Sequence, residues 1–388
     1  MPASDAFLSS AETATVRYPL ELALCNRCSL LQILETIDPK KLFGNDYLYC
    51  SSVATSWLEL AKDNASQLIR RFKLKAEDRV VELASNDGYL LQYFLAEGID
   101  VLGVDPAPVP AAIARERGIP TEQAFFSEAL GDALALSGKR ARLVIANNVL
   151  AHVADLHDFL RGILAVMLPE GVLVAEVPWA LSLLNGCAFD TIYHEHLCYF
   201  SLQSLGAVLA SHSLFLNDVE ELPSHGGSLR IYASRDASQS EALREALHKE
   251  RMSRLDIITP YECFAQAAVE NVRALSVILQ TLSEEGCTLA AYGAAAKGTM
   301  LLNCLGSGSR QLRYVIDRNP AKQGRFVPGV NIPIVAPEAA VDDPVDCLLL
   351  LCWNLKEEIF AQEKRFFERG GRFLLPLPKP QQITWDSL

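Results

Sequence analysis

The sequence lacks the features that mark membrane, exported or nucleic-acid-binding proteins. No apolar run is long enough to cross a bilayer, and the first residues lack the basic start and apolar stretch of a leader. Its 35 Lys and Arg are outnumbered by 47 Asp and Glu, and the net charge of −12 disfavours general binding to a phosphate backbone. The ten cysteines are scattered, mostly within apolar runs, as in proteins with reduced thiols. We therefore expect a cytoplasmic, monomeric protein that acts on a small molecule and binds neither membranes nor nucleic acid.

The chain has enough apolar residues for more than one core. Half of its 388 residues are hydrophobic, and the length exceeds that of one ordinary core. Three regions differ in pattern: an irregular one over 1–56, and two, over 57–235 and 236–388, in which strands and helices alternate. Such alternation predicts parallel sheets covered by helices on both faces. The expected class is α/β, with two doubly wound, Rossmann-like domains.

Apolar periodicity places the elements of the two α/β regions. The strands predicted before residue 200 are Arg79–Ala84, Asp100–Asp105, Leu143–Val149 and Val172–Val177, and the helices are Trp57–Phe72, Tyr89–Glu97 and Pro110–Arg117. The strands Leu214–Leu222 and Gly227–Ser234 have no helix between them and predict an antiparallel pair at one sheet edge. The polar, helical segment Asp236–Glu284 is expected to bridge the two domains. The strands predicted beyond it are Thr288–Tyr292, Leu312–Asp317, Asp346–Cys352 and Arg372–Leu377.

The segment VVELASNDGYLL has the pattern of a strand, a tight turn and a helix start, where doubly wound folds bind ligands. Its acidic and polar residues suit a cationic ligand without phosphate, such as S-adenosylmethionine, better than a nicotinamide dinucleotide. Asp105 ends the next strand, where an acidic residue commonly accepts from ribose hydroxyls. Each of these residues taken alone is equally typical of a helix cap. The candidate cofactor contacts are Tyr47, Tyr49, Ser51, Glu82, Ala84, Asn86, Asp87, Gly88, Asp105, Asn147 and Asn148.

The segment Asp190–Tyr199 is the densest in titratable groups, with Tyr193, His194, Glu195 and His196 in succession. Histidine can act as a base near neutral pH, and a neighbouring carboxylate can orient it. If the segment is extended, Tyr193 and Glu195 share one face and the two histidines the other. The spacing differs from the helical zinc-protease motif, which disfavours a metal. A structural role for these histidines stays open.

Two further segments combine glycine or alanine with basic residues. HGGSLR begins with His225 and ends with Arg230; its glycines indicate either close approach to a ligand or an ordinary hairpin turn. AAYGAAAKG predicts a strand, a small-residue turn and a helix start, with Lys297 as a positive charge for an anion. Tight helix–sheet packing would explain the same small residues. The candidate substrate contacts are His194, His225, Arg230, Tyr292, Lys297 and Asn354.

With these residues in view, the chain resembles the three-domain sugar C-methyltransferases, which methylate a carbon of nucleotide-linked 4-keto deoxysugars. The resemblance extends over nearly the whole chain and depends on the motifs YPLELALCNRC, YLYCSS, VVELASNDGYLL, NNVLAHVADLHDF, FDTIYHEHLCYFS, HGGSLR, AYGAAAKG, IDRNPAKQG, PGVNIPI and WN. It implies a class I methyltransferase fold, S-adenosylmethionine as cofactor, and an enolate mechanism. His196 would be the base, with Tyr193 and Glu195 participating. Lys297 and its turn would help to hold the nucleotide.

One departure from the family concerns zinc. The family begins with a domain in which two Cys-x-x-Cys pairs bind zinc, whereas here only Cys25 and Cys28 are present. Since two thiolates rarely hold structural zinc, we expect no complete zinc site and interpret the region 1–56 as the remnant of such a domain, through truncation, a misassigned start or loss of the metal. Functions left open are methylation of a non-sugar acceptor, a nicotinamide-dependent oxidoreductase, and a ligand-binding protein without catalysis.

Overall fold

The computed structural model describes residues 1–42, 50–53 and 55–385. Within these residues the strands are β1 (Leu22–Leu24), β2 (Leu31–Ile33), β3 (Arg79–Leu83), β4 (Asp100–Val104), β5 (Thr121–Glu122), β6 (Ala141–Asn147), β7 (Met167–Pro178), β8 (Cys198–Tyr199), β9 (Phe215–Leu222), β10 (Ser228–Ser234), β11 (Leu289–Tyr292), β12 (Leu312–Ile316), β13 (Ile334–Val335), β14 (Cys347–Leu350), β15 (Arg372–Leu375) and β16 (Gln381–Ile383). The helices are α1 (Pro39–Leu42), α2 (Thr55–Phe72), α3 (Leu91–Ala96), α4 (Pro108–Glu116), α5 (Glu128–Leu136), α6 (Leu156–Val166), α7 (Ala180–Asn185), α8 (Leu202–Ala210), α9 (Glu241–Met252), α10 (Thr259–Glu284), α11 (Ala296–Leu305), α12 (Ala339–Asp342), α13 (Lys356–Gln362) and α14 (Lys364–Glu368).

The middle sheet has the strand order β5-β4-β3-β6-β7-β10-β9. Its first five strands are parallel, while β10 is antiparallel to both β7 and β9, as predicted for the sheet edge. Alternate residues enter two separate cores: Val81 and Val144 pack on one face, Val80 and Leu143 on the other. A parallel sheet buried on both faces requires such continuous apolar strands. The order reverses between β3 and β6, which makes their carboxyl ends the expected ligand site.

The last sheet has the order β13-β12-β11-β14-β15-β16, with only β16 antiparallel among its described strands. The order reverses between β11 and β14, so the carboxyl ends of these two strands form a second crevice. The structure thus confirms the predicted fold class, with two successive doubly wound α/β units.

The N-terminal region is more regular than the sequence indicated. β1 and β2 form a hairpin, and β2 also pairs antiparallel with β8, which comes from the middle of the chain. β8 directly follows His196 and Leu197. This small sheet therefore places the N-terminal region next to the segment Asp190–Tyr199.

The bridge between the α/β units consists of two helices, α9 and α10. α9 and α10 are separated at Ser253–Ile258, where Arg254 has a φ of 52° and Pro260 occupies the first turn of α10. α10 packs Leu275 and Leu279 into the main core. The side chain of Asn271 donates to the carbonyl of Pro378 at 2.9 Å, which fastens this helix to the last unit.

Candidate active site between the two α/β units

The turn after β3 has an unusual backbone. Ala84, Asn86 and Gly88 have φ values of 57°, 50° and 76°, in the left-handed region. A Cβ at Gly88 would collide with the side chain of Ile119, so this position requires glycine for its backbone and for helix packing. The close approach at Gly88 is therefore to Ile119 of the protein itself, and its role as a cofactor contact stays a prediction.

Asp105 fixes this turn. Its carboxylate accepts hydrogen bonds from the backbone N–H groups of Asn86 and Ala107, both at 2.8 Å. Asn86 in turn accepts from the N–H of Ser51 at 2.8 Å. The segment before α2 is thus docked on the turn after β3, and the role of Ser51 as a cofactor contact stays a prediction. Tyr47 and Tyr49 lie outside the described residues.

Four carboxyl groups are buried together at this edge of the sheet: Glu82, Asp87, Asp105 and Glu176. Burial raises the pKa of Glu82 well above its ordinary value, and the nearby carboxylates of Asp105 and Glu176 raise it further. Burial also raises the pKa of Asp105, against hydrogen bonds that lower it. A site that crowds acidic groups in low dielectric favours a cationic ligand, because a positive charge offsets their mutual repulsion.

The end of β6 contributes to the same edge. Asn147 is buried and lies in register with Glu176, while Asn148 leaves the strand with a φ of 53°. This left-handed residue ends β6 two positions earlier than predicted. The side-chain oxygens of Ser85 and Asn147 are buried and accept no hydrogen bond within the described part of the chain. These two oxygens can therefore accept hydrogen bonds from a ligand or from water, and the acidic, polar set fits the sulfonium, amino and hydroxyl groups of S-adenosylmethionine.

The segment Asp190–Tyr199 forms a turn at Tyr193–Glu195 and is not extended there. The alternation of side chains between two faces, expected for an extended segment, therefore does not occur. Tyr193 and His196, three positions apart, stack with ring centroids 4.1 Å apart, and the phenol oxygen lies 3.1 Å from His196 Nε2. His196 Nδ1 lies 2.9 Å from the carbonyl oxygen of Thr191. Since a carbonyl only accepts, Nδ1 carries the proton, and Nε2 accepts from the phenol. Burial, with the Glu195 carboxylate next, raises the pKa of Tyr193 well above its ordinary value, so the phenol stays a donor.

The other two residues of the segment face the N-terminal region. His194 is fully buried, and its Nε2 donates to the carbonyl of Pro19 at 2.8 Å. The Glu195 carboxylate accepts from the hydroxyl and N–H of Ser4 at 2.8 and 3.3 Å. Burial and the nearby Asp5 raise the pKa of Glu195 to about 7. The structure therefore brings Tyr193 and His196 together but turns His194 and Glu195 away from them; their roles in substrate binding and catalysis stay predictions.

His152 is a member of this cluster that sequence reasoning did not single out. It follows β6 in a short 3-10 turn, and its ring meets the ring of His196 edge-on with centroids 4.9 Å apart. Burial lowers the pKa of His152 to about 4, so it is neutral at physiological pH. The motif NNVLAH places it just beyond the strand end, which is the signal that could have identified it.

The last α/β unit contacts the segment Asp190–Tyr199 through Trp353, and Lys297 lies beside that tryptophan. Lys297 Nζ donates to the side-chain oxygen of Asn354 at 2.8 Å and lies 4.7 Å above the Trp353 ring. The indole N–H of Trp353 donates to Asp190 at 2.7 Å. A Cβ at Gly226, whose φ is 91°, would lie 2.7 Å from the same indole. The glycine in HGGSLR therefore permits close approach of Trp353.

The remaining predicted substrate contacts are engaged within the protein. Arg230 is buried in the middle sheet, where its guanidinium pairs with Glu176 at 2.7 Å. The hydroxyl of Tyr292 donates to Glu363 at 2.9 Å. The side chain of His225 lies outside what the structure describes. The structure does not bring Arg230 or Tyr292 to the Tyr193–His196 pair, and their roles stay predictions.

Comparison with known proteins divides the chain among three family models. Residues 1–43 match a "putative zinc binding domain", residues 57–213 a methyltransferase domain, and residues 223–378 a C-methyltransferase C-terminal domain. The C-methyltransferase NovU of Streptomyces niveus is 38% identical over 374 residues, covering 95% of this chain and 89% of the relative. The ubiquinone biosynthesis O-methyltransferase of Azorhizobium caulinodans is 30% identical over 102 residues, 25% of this chain and 39% of its own.

Similar solved structures include two methyltransferases. The 1,6-didemethyltoxoflavin-N1-methyltransferase of Burkholderia thailandensis, with bound S-adenosylhomocysteine, is 21% identical and covers 46% of this chain and 80% of its own, with a TM-score of 0.36. The glycopeptide N-methyltransferase MtfA, complexed with S-adenosylmethionine, is 14% identical and covers 48% and 97%, also with a TM-score of 0.36.

Two features are absent from the described residues. No three or more His, Cys, Asp or Glu side chains there are grouped so that they could hold a metal ion. No helix in the same part of the chain is both long and apolar enough to span a bilayer. The absence of a complete zinc site stays a prediction, since residues 1–43 match the family of the zinc-binding domain. Because the match to NovU extends over almost the whole of both chains, this protein belongs to the family of S-adenosylmethionine-dependent C-methyltransferases.

Proposed function

We propose that this enzyme methylates a carbon next to the ketone of a nucleotide-linked keto deoxysugar. The observation that carries the proposal is the pair of Tyr193 and His196. The hydrogen bond from His196 Nδ1 to Thr191 leaves Nε2 as an acceptor, which is the form a general base requires. A base is needed because a carbon next to a ketone becomes nucleophilic only after it loses a proton.

His196 and Tyr193 have separate roles in this mechanism. His196 Nε2 removes the proton from the carbon, and the imidazolium keeps its bond from Nδ1 to the Thr191 carbonyl. On substrate binding, we expect the Tyr193 phenol to transfer its hydrogen bond from His196 to the enolate oxygen. Its raised pKa keeps the phenol protonated for this purpose. Positioned donors of this kind stabilise developing negative charge by several kcal/mol, about 3 in measured cases.

S-adenosylmethionine supplies the methyl group that the substrate carbon takes. Within the protein, Asp105 holds the turn after β3, and the buried carboxyl groups of Glu82 and Asp87 lie beside it. Ser85 and Asn147 offer buried oxygens to the cofactor's polar groups. Of the predicted cofactor contacts, Asn86, Asp87 and Ser51 serve at least partly to dock the segment before α2 on the turn.

The nucleotide end of the substrate is expected at the carboxyl ends of β11 and β14. Lys297 lies in the first turn of α11, which has no side-chain cap, and the N-terminus of a helix favours an anion. Asn354, already bonded to Lys297, would share in binding a phosphate. Trp353, which precedes Asn354, donates to Asp190, three positions before Tyr193. One substrate could then reach from a phosphate site in the last unit to the reactive pair.

The test is methyl transfer to a panel of nucleotide-linked 4-keto sugars. We expect one of these to accept the methyl group, with His196→Gln abolishing turnover while the affinity for S-adenosylmethionine stays nearly intact. The matched control is His248→Gln, since His248 is exposed on α9 away from the site. Transfer to a non-sugar keto compound but to no sugar would replace the proposed substrate. Equal loss of turnover and cofactor affinity in His196→Gln would make that residue structural. A monomeric state and a cytoplasmic location remain predictions of the sequence.

A further inference from the structure

A hydrogen bond joins the last α/β unit to the turn Phe189–Thr191. Trp353 follows β14, and its indole N–H donates to Asp190 Oδ2 at 2.7 Å. Asp190 has no exposed surface, and it lies in the 3-10 turn Phe189–Thr191 that leads into the reactive segment. This turn packs against α11 of the last unit. The contact is therefore both buried and between units.

Asp190 directly precedes the group that orients the proposed base. The Thr191 carbonyl accepts from His196 Nδ1 at 2.9 Å, and Thr191 is itself held by bonds from its N–H and hydroxyl to the Ala188 carbonyl, at 3.1 and 2.7 Å. Asp190 and Thr191 lie in the same 3-10 turn, so we expect a displaced Asp190 to shift the Thr191 carbonyl as well. His196 would then lose the partner that keeps its proton on Nδ1.

Neighbouring residues restrict the position of the Trp353 ring. Its ring lies under Lys297 Nζ at 4.7 Å and against the backbone of Gly226, where no side chain would fit. Lys297 is bonded to Asn354, the next residue after Trp353. The indole is thus fixed by the same groups that form the expected phosphate site.

We propose that Asp190 is a positioning residue through which Trp353 of the last unit sets the orientation and tautomer of His196. The inference rests on the proposed function in taking His196 as the base. On this proposal, the base has its working tautomer only when Trp353 is docked on Asp190.

The charge on Asp190 agrees with this role. Burial raises the pKa of Asp190 to about 6, and Lys297, Trp353 and nearby backbone N–H groups oppose the rise. Burying a carboxylate costs desolvation free energy, which partners can offset. Asp190 has partners in the last unit, Trp353 and Lys297, and in its own turn. The alternative is that the bond merely stabilises packing between the units.

The deciding variant is Trp353→Phe, which keeps an aromatic ring under Lys297 but removes the N–H donor. The readout is the NMR spectrum of imidazole-labelled protein, in which the ring carbon shifts distinguish the two neutral tautomers; His196→Gln identifies the His196 signals. We expect Trp353→Phe to shift His196 toward the Nε2–H tautomer and to lower kcat about tenfold, as one lost bond to a charged group implies. The KM for S-adenosylmethionine should not change.

Two further variants separate positioning from packing. Trp385→Phe, at an exposed tryptophan near the end of the chain, is the matched control and should change neither the His196 signals nor kcat. Asp190→Asn keeps an acceptor oxygen for the indole and should retain much more activity than Asp190→Ala. If Trp353→Phe leaves the tautomer and kcat as in the wild type, the proposed link is wrong. If His196→Gln keeps its turnover, His196 is not the base. The tautomer measurement on Trp353→Phe would still test the link between Trp353 and His196.

Discussion

Replacing Glu195 by Gln should stabilise the protein at alkaline pH and change it little at acidic pH. The Glu195 side chain is 8% exposed, and burial together with Asp5 raises its pKa from 4.5 to about 7. Because the folded-state pKa lies above the unfolded value, stability is greatest below about pH 4.5 and is lost as the pH rises through about 7. At about 1.4 kcal/mol per pKa unit, the wild type loses about 3 kcal/mol over this range. Glutamine keeps a carbonyl oxygen for the two Ser4 donors but cannot ionise.

The assay is urea unfolding at about pH 5 and about pH 8.5. The free energy of unfolding of Glu195→Gln should exceed that of the wild type by about 3 kcal/mol at the higher pH and by about 1 kcal/mol or less at the lower. Glu245→Gln removes the same charge from an exposed position on α9 and should behave like the wild type at both. Equal effects of Glu195→Gln at the two pH values would refute the reasoning, because the carboxyl would then not be neutral in the folded protein.

Three other outcomes follow from the structure. S-adenosylmethionine binding should release protons and tighten as the pH rises, because a cation favours the ionised form of Glu82, whose pKa is raised. Calorimetry in buffers of different ionisation enthalpy measures the number of protons released. That number should be smaller for the Glu82→Gln variant. Gly226→Ala should lower the thermal stability by more than Gly138→Ala. Both glycines have a φ in the left-handed region, 91° and 74°, but only a Cβ at Gly226 would contact an indole. Equal losses of stability would mean that the Trp353 ring moves aside at little cost. Metal analysis of the purified protein should find less than one tightly bound zinc per chain, and a full equivalent would show that Cys25 and Cys28 belong to a complete site.

The fold could be predicted well because its signals are local. Buried parallel strands appear as continuous apolar runs, and the predicted strands of both α/β units are present with ends shifted by only a few residues. The position of the break between α9 and α10 could not be predicted, since it depends on the left-handed backbone of Arg254 rather than on glycine. The pairing of β2 with β8 was also missed, because contacts between distant segments leave no periodic pattern in the sequence.

The site was predictable by location more than by geometry. Strand ends predicted that Glu82, Asp105 and Asn147 would gather at one sheet edge, and the structure places them there. The arrangement of Tyr193 with His196 could not be predicted, because it depends on a turn that the sequence left open. Likewise, the close approach of Trp353 to Asp190 arises from docking between units, which no local pattern encodes.

The most direct measurement of the central claim is the position of the transferred methyl group. The enzyme is incubated with a nucleotide-linked 4-keto deoxysugar and S-adenosylmethionine labelled with carbon-13 in its methyl group, and the product is examined by NMR. The account predicts a labelled methyl bonded to a ring carbon next to the ketone, with loss of a proton from that carbon. A labelled methyl on oxygen or nitrogen, or no transfer to any keto sugar, would contradict it.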